Sequence, residues 1–164
     1  MTAWVGWLAA AAFGYALGAI NPAAIVARAF GVDLRGVGSG NPGATNVGRA
    51  LGPRWAVVVG VADALKGFIP AYAFGLLLGQ TAGEVAGIAA VVGHVTSPFL
   101  RGRGGKGVAT ALGAILGVQP LLAVPVLLAF GVGVVVWRRV GLGAVLGAAA
   151  LIGSGVAGYA LGWA

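Results

Sequence analysis

The sequence has no cysteine, a single histidine and only three acidic residues, Asp33, Asp63 and Glu84, among 164. Without cysteine there is no disulfide framework, no thiolate metal site and no thiol nucleophile. One histidine and three scattered acids form no ligand cluster, so neither a metal nor another cofactor is expected. Charge of either sign is scarce: 8% of residues are charged, against about 25% in a soluble domain. That is too little to cover a globule and excludes an ordinary soluble domain and a disordered chain. With 60% hydrophobic residues and a mean hydropathy of +1.02, the solvent of this chain is largely lipid.

What the sequence has in excess is glycine, 32 residues without a G-X-Y period. Small residues let membrane helices approach closely, and glycines also build loops whose backbone amides can wrap an anion. The net charge is +7 and the pI about 11.3. The basic residues stand in short stretches between apolar runs, which fits the positive-inside rule and a site for a phosphorylated substrate, with no need of a nucleic acid.

Apolar runs predict an all-α integral membrane protein, a single compact bundle over residues 1–164 with about six spans near 4–30, 55–78, 84–99, 107–118, 120–137 and 141–163. No basic residue precedes the first run and Arg28 closes it, so it reads as a retained span with the N-terminus outside rather than a signal peptide. Residues 108–137 fit either one long span or two short ones. Two spans place Arg138 and Arg139 inside with Arg28–Arg54 and Arg101–Lys106, and the positive-inside rule selects that reading. Small residues spaced by four at Gly14/Gly18, Gly83/Gly87, Gly113/Gly117, Gly143/Gly147 and Ser154/Gly158/Gly162 predict close helix contacts.

Two glycine-rich cytoplasmic loops carry the chemistry. In the first, Gly38 to Arg49, Ser39, Asn41, Thr45 and Asn46 are small hydrogen-bonding residues suited to a phosphate or a polyol, and Arg49 can grip a phosphate bidentately. Its glycines would let consecutive backbone amides converge on an anion. The second, Arg101 to Gly107, sets Arg101, Arg103 and Lys106 before a new helix, where free amides and the dipole favour anions. It is not a nucleotide P-loop, because Gly107 follows the lysine. Taken alone it also reads as a topological loop without a ligand. Asp63 and Lys66 lie three apart on one face of a span and must pair or face a cavity. His94, at the inner end of the third span, is the one candidate general base. Ser39, His94 and Asp63 show no triad spacing.

The run Gly38-Ser39-Gly40-Asn41-Pro42-Gly43-Ala44-Thr45-Asn46, then Asp63 to Gly67, then Gly93-His94 with Pro98-Phe99 and Gly104-Gly105-Lys106-Gly107-Val108-Ala109-Thr110, resembles the bacterial acyl-phosphate–dependent glycerol-3-phosphate acyltransferase family. The resemblance covers about Gly14 to Gly147. It implies an enzyme of the bacterial inner membrane, its site facing the cytoplasm, that transfers an acyl group from acyl phosphate to glycerol 3-phosphate in phospholipid synthesis. On this reading Ser39, Asn41, Thr45, Asn46, Arg49, Arg103 and Lys106 bind substrate. Ser39, Lys106 and His94 are the catalytic candidates, and Asp63 and Lys66 support the site. Members of the family usually have a further span with a His-x-x-Asn motif, absent here, and Phe-Lys where this chain has Gly102-Arg103. The competing readings are a small membrane carrier or channel for phosphate or phosphorylated metabolites, and an inactive paralogue.

Overall fold

The computed structural model describes residues 3–162, and every regular element among them is helical. The elements are α1 (Ala3–Ala19), α2 (Pro22–Ala29), α3 (Ala44–Leu51), α4 (Pro53–Leu78), α5 (Gln80–Val95), a short 3-10 turn (Pro98–Leu100), α6 (Val108–Val118), α7 (Pro120–Trp137) and α8 (Val140–Ala160). They fall into two compact units divided between Val118 and Gln119.

In the first unit the expected span 4–30 is broken into α1 and α2. Asn21 caps α2 by accepting the Ala24 amide at 2.7 Å, and Pro22 occupies the first helical turn. Helix α4 begins at Pro53 and runs to Leu78, and α5 resumes directly after Gly79, so the turn expected at Gly79–Gly83 is shorter than predicted. The first polar segment is not a loop throughout, because Ala44–Leu51 forms α3. Its Val47 is buried with Ala23, Ala27, Leu34 and Val59, which gives this helix an apolar side to dock.

The break near Gln119-Pro120 divides residues 108–137 into two helices, α6 and α7. Among the described residues, five segments are long and apolar enough to cross a bilayer: Ala3–Ala29, Pro53–Leu78, Gln80–Leu100, Pro120–Trp137 and Val140–Ala160. Helix α6, with 11 residues, is about 16 Å long, short of a ~30 Å hydrocarbon core. The last expected span reaches Trp163, which lies outside the described residues.

Small residues build the interior. Ala10, Ala82 and Ala86 are fully buried while Leu77 and Leu121 are 74% and 84% exposed, an arrangement suited to lipid rather than water. A Cβ placed on Gly14 or Gly18 would run into the carbonyls of Ala86 and Ala90 on α5, and one on Gly67 or Gly113 would overlap backbone across the α4–α6 contact. Gly83, Gly87 and Gly117 are equally closed in. In the second unit α7 and α8 meet at Gly133 and Gly143, where a Cβ on Gly133 would lie 2.5 Å from the Gly143 Cα. The small-residue pattern therefore predicts these contacts correctly. The Ser154/Gly158/Gly162 stripe differs, because a Cβ on Gly162 would meet nothing within 4 Å.

Candidate active site

The break at Asn21 exposes backbone groups that the membrane cannot hydrate, and their partners organise the site. The Ala19 carbonyl accepts the Ser97 hydroxyl at 2.6 Å, and the Ile20 carbonyl accepts the Lys66 ammonium at 2.6 Å. Ala19 ends α1 and Ile20 follows it, so both carbonyls lie at the break, where no further turn of the helix supplies a donor. Lys66 Nζ also lies 2.9 Å from Asp63 Oδ1, and His94 Nδ1 lies 3.3 Å from the same oxygen. All three side chains are buried. Asp63 Oδ1 receives both neighbours without an aligned hydrogen bond from either. The cluster therefore holds α1, α4 and α5 together at one end.

The second glycine-rich segment folds back over this cluster. Gly102 N donates to Ser97 O at 2.9 Å, Gly104 N to Val95 O at 2.8 Å and Gly105 N to His94 O at 3.2 Å. A Cβ on Gly104 would overlap the His94 carbonyl, and one on Gly105 would overlap the His94 ring at Nε2. His94 thus lies beneath the segment with both ring edges covered by protein. Arg101 adopts the left-handed conformation (φ 54°, ψ 42°) that starts this reversal.

The first segment is drawn together by Asn46. Its Nδ2 donates to Leu34 O at 3.0 Å and Val37 O at 2.9 Å, and its Oδ1 accepts Ser39 N at 3.2 Å. Asn46 was expected to bond substrate. It is 1% exposed, and its amide is taken up in holding residues 34–39 on α3. Gly38 and Gly40 have φ of +54° and +67°, which only glycine adopts without strain, and the Arg49 side chain passes directly over Gly38. Arg49, Ser39 and Thr45 are exposed and Asn41 is half-buried.

The expectation that consecutive amides cradle an anion is not met at Ser39, Gly40, Gly43, Gly104 and Gly105, whose N–H groups all bond within the protein. The glycines serve close packing and sharp reversal. The side chains of Ser39, Thr45, Arg49 and Lys106 stay exposed and that of Asn41 is half-buried.

The two segments meet. Asn21 Nδ2 donates to Pro42 O at 3.2 Å, and Gly105 packs so that a Cβ there would stand 3.2 Å from the same carbonyl. Nearer the surface, Arg35 Nη1 donates to Gly40 O at 3.1 Å and Nη2 to Arg103 O. Beside this bridge lies a cleft of about 430 Å³ lined by Arg35, Leu100, Arg101 and Arg103. Sequence reasoning gave no role to Asn21, Arg35 or Ser97. The Asn-Pro pair inside an apolar run is a helix-cap signature that marks Asn21. Ser97 has no comparable signal.

These features define a multi-pass membrane protein with two glycine-rich segments joined at one end of its first unit. Comparison with known proteins narrows the class. The chain matches the family described as glycerol-3-phosphate acyltransferase over residues 8–161. It is similar to the glycerol-3-phosphate acyltransferase of Geotalea daltonii, with 46% identity over 138 residues, 84% of this chain and 71% of the relative. It is likewise similar to that of Aquifex aeolicus, with 46% identity over 131 residues, 77% of this chain and 67% of the relative. Among solved structures it resembles PlsY (YgiH), an integral membrane glycerol 3-phosphate acyltransferase, in its glycerol 3-phosphate form, with TM-score 0.86, 42% identity and coverage of 93% of this chain and 78% of that chain. The lysophosphatidic acid form of PlsY gives a TM-score of 0.82 with 41% identity over the same shares. The chain belongs to the glycerol-3-phosphate acyltransferase family.

Proposed function

We propose that the chain transfers the acyl group of an acyl phosphate to the 1-hydroxyl of sn-glycerol 3-phosphate, yielding 1-acyl-sn-glycerol 3-phosphate (lysophosphatidic acid) and inorganic phosphate, as a step of phospholipid synthesis. The observation that carries this reading is a family match that includes both glycine-rich segments, together with the direct contact of those segments at Pro42–Gly105 and Arg35–Arg103.

The donor is already activated, so the protein has to align two anions and neutralise them. Ser39, Asn41 and Thr45 bond the glycerol and phosphate oxygens, and Arg49 and Lys106 bind phosphate, with Arg103 in support. The glycerol 1-oxygen forms the new ester bond to the acyl carbon as the bond from that carbon to the bridging oxygen of the phosphate breaks, and that oxygen leaves with the phosphate. The hydroxyl proton leaves with the phosphate, a phosphate oxygen of the donor acting as base. The burial of His94 beneath Gly105, with Nδ1 turned to Asp63, supports this substrate-assisted route over general-base catalysis by His94. Alignment of bound reactants contributes on the order of 7–11 kcal/mol in such reactions, and Lys106 stabilises the charge that develops on the departing phosphate. Asp63 and Lys66 support the site through the α1 break. The acyl chain lies in a groove open to lipid. The protein resides in the bacterial inner membrane with its N-terminus outside and the site facing the cytoplasm.

The test incubates detergent-solubilised protein with acyl phosphate and glycerol 3-phosphate beside the Lys106→Ala variant. Lysophosphatidic acid formed by the wild type, and at least about tenfold less by the variant (~1.4 kcal/mol), is the expected result. A carrier or an inactive paralogue would form no lysophosphatidic acid, and that outcome would overturn the proposal.

A further inference from the structure

The first segment is tied to the rest of the site at two depths. The deep tie is buried, Asn21 Nδ2 to Pro42 O at 3.2 Å. The outer tie is Arg35, whose two terminal nitrogens reach carbonyls of different segments, Gly40 O at 3.1 Å and Arg103 O, which is 68 positions away in sequence. The backbone amide of Arg35 is itself held by Asp33 Oδ1 at 2.9 Å, which fixes the origin of the side chain. Asn46 holds residues 34–39 on α3, and Arg35 adds a hydrogen bond from these residues to the segment bearing Lys106. Two ties fix both the separation and the angle between the segment bearing Ser39 and Asn41 and the segment bearing Lys106.

We propose that Arg35 is a positioning residue: its guanidinium staples the two glycine-rich segments together and so sets the spacing of the side chains that receive the two anions. The proposal rests on the acyltransferase reading above and adds to it a residue that directs its hydrogen bonds to backbone carbonyls rather than to substrate. The planar fork suits this task, since two N–H vectors diverge toward two acceptors at fixed geometry, which a lysine ammonium cannot reproduce. The surroundings make the tie consequential. Arg101 and Arg103 line the same cleft as Arg35, so like charges push the segments apart, and the carbonyl acceptors of Gly40 and Arg103 hold Arg35 in place against that repulsion. The staple is exposed, so its loss leaves the buried packing of α1, α4 and α5 intact.

The experiment compares the full chain in detergent as wild type, Arg35→Ala, Arg35→Lys and Arg28→Ala, the last removing an exposed cation outside the site. Three readouts are taken: acyl-transfer kinetics, thermal midpoint, and hydrogen exchange of peptides covering residues 36–45 and 102–107. The expected result for Arg35→Ala is a fall in kcat/KM for glycerol 3-phosphate of at least about tenfold, carried mainly by KM, with the thermal midpoint kept. Both peptides should exchange faster, and α7 and α8 should be unchanged. Guanidinium chloride at tens of millimolar should restore activity to Arg35→Ala where sodium chloride does not, and Arg35→Lys should recover less than guanidinium does. Arg28→Ala should behave as wild type.

Wild-type kcat/KM in Arg35→Ala overturns the proposal. So does a loss accompanied by a lowered thermal midpoint and indifferent to guanidinium. If the wild type itself transfers no acyl group, the acyltransferase reading fails, and the staple is then judged by exchange alone: faster exchange of both peptides supports it and unchanged exchange overturns it.

Discussion

Lys66 offers the sharpest test of how this chain tolerates charge inside an apolar bundle. Replacing it with methionine keeps the volume but removes two interactions, the 2.9 Å approach to Asp63 and the 2.6 Å hydrogen bond to the Ile20 carbonyl. At 2.9 Å and an effective dielectric of about 20, the attraction to Asp63 is about 6 kcal/mol before desolvation is subtracted. Much of that offsets the cost of burial, so the intact pair is worth little net. Removing one partner is different, because it strands a buried carboxylate, at a cost of about 3–5 kcal/mol. The double variant Asp63→Asn/Lys66→Met removes both charges. It leaves chiefly the orphaned Ile20 carbonyl, worth about 1–3 kcal/mol. Lys66→Met should therefore be less stable than the double variant, measured by thermal inactivation in detergent with size-exclusion readout. A double variant as unstable as the sum of the two singles would refute the reasoning, since the charges would then not be compensating each other.

Four further outcomes follow from the same geometry. Arg49→Ala should lower kcat/KM in the acyl-transfer assay at least about tenfold without a large change in thermal midpoint, since the side chain is exposed. Ser97→Ala should cost about 1–3 kcal/mol by leaving the Ala19 carbonyl unpartnered in a buried site, read as a lowered thermal midpoint. Gly67→Ala should destabilise by about 1–3 kcal/mol, because its methyl group would overlap the Thr110 backbone. Gly153→Ala, which meets nothing within 4 Å, should be neutral or stabilising by up to about 1 kcal/mol under the same thermal assay.

The residue types in the two glycine-rich segments pointed to a candidate site, and the structure gives several of them other tasks. Ser39, Thr45 and Arg49 stand at the surface as an anion-binding rim requires, and Asn41 is half-buried beside them. Asn46 has the same composition signal and a different task. Its amide takes part in three bonds within the protein, because α3 turns that face of the segment inward. His94 was the one histidine available as a base, and it is buried against Asp63 instead. A residue type indicates which bonds a side chain can make, and the direction in which the backbone presents it decides which ones it does make.

The chain's own order of residues determined the environment and the close contacts. Scarce charge and long apolar runs required lipid around the helices, and glycines four apart at Gly14/Gly18, Gly83/Gly87 and Gly113/Gly117 let helices pack closely. Pro22, Pro53 and Pro120 each stand in the first turn of a helix, where the missing N–H is not needed. Tertiary structure alone decided the partners. The carbonyls of Ala19 and Ile20 meet Ser97 and Lys66 across 78 and 46 positions, and Arg35 meets Arg103 across 68. A backbone carbonyl has the same chemistry at every position, so nothing local in the sequence marks which distant donor will reach it; only the packing of the helices brings the two together.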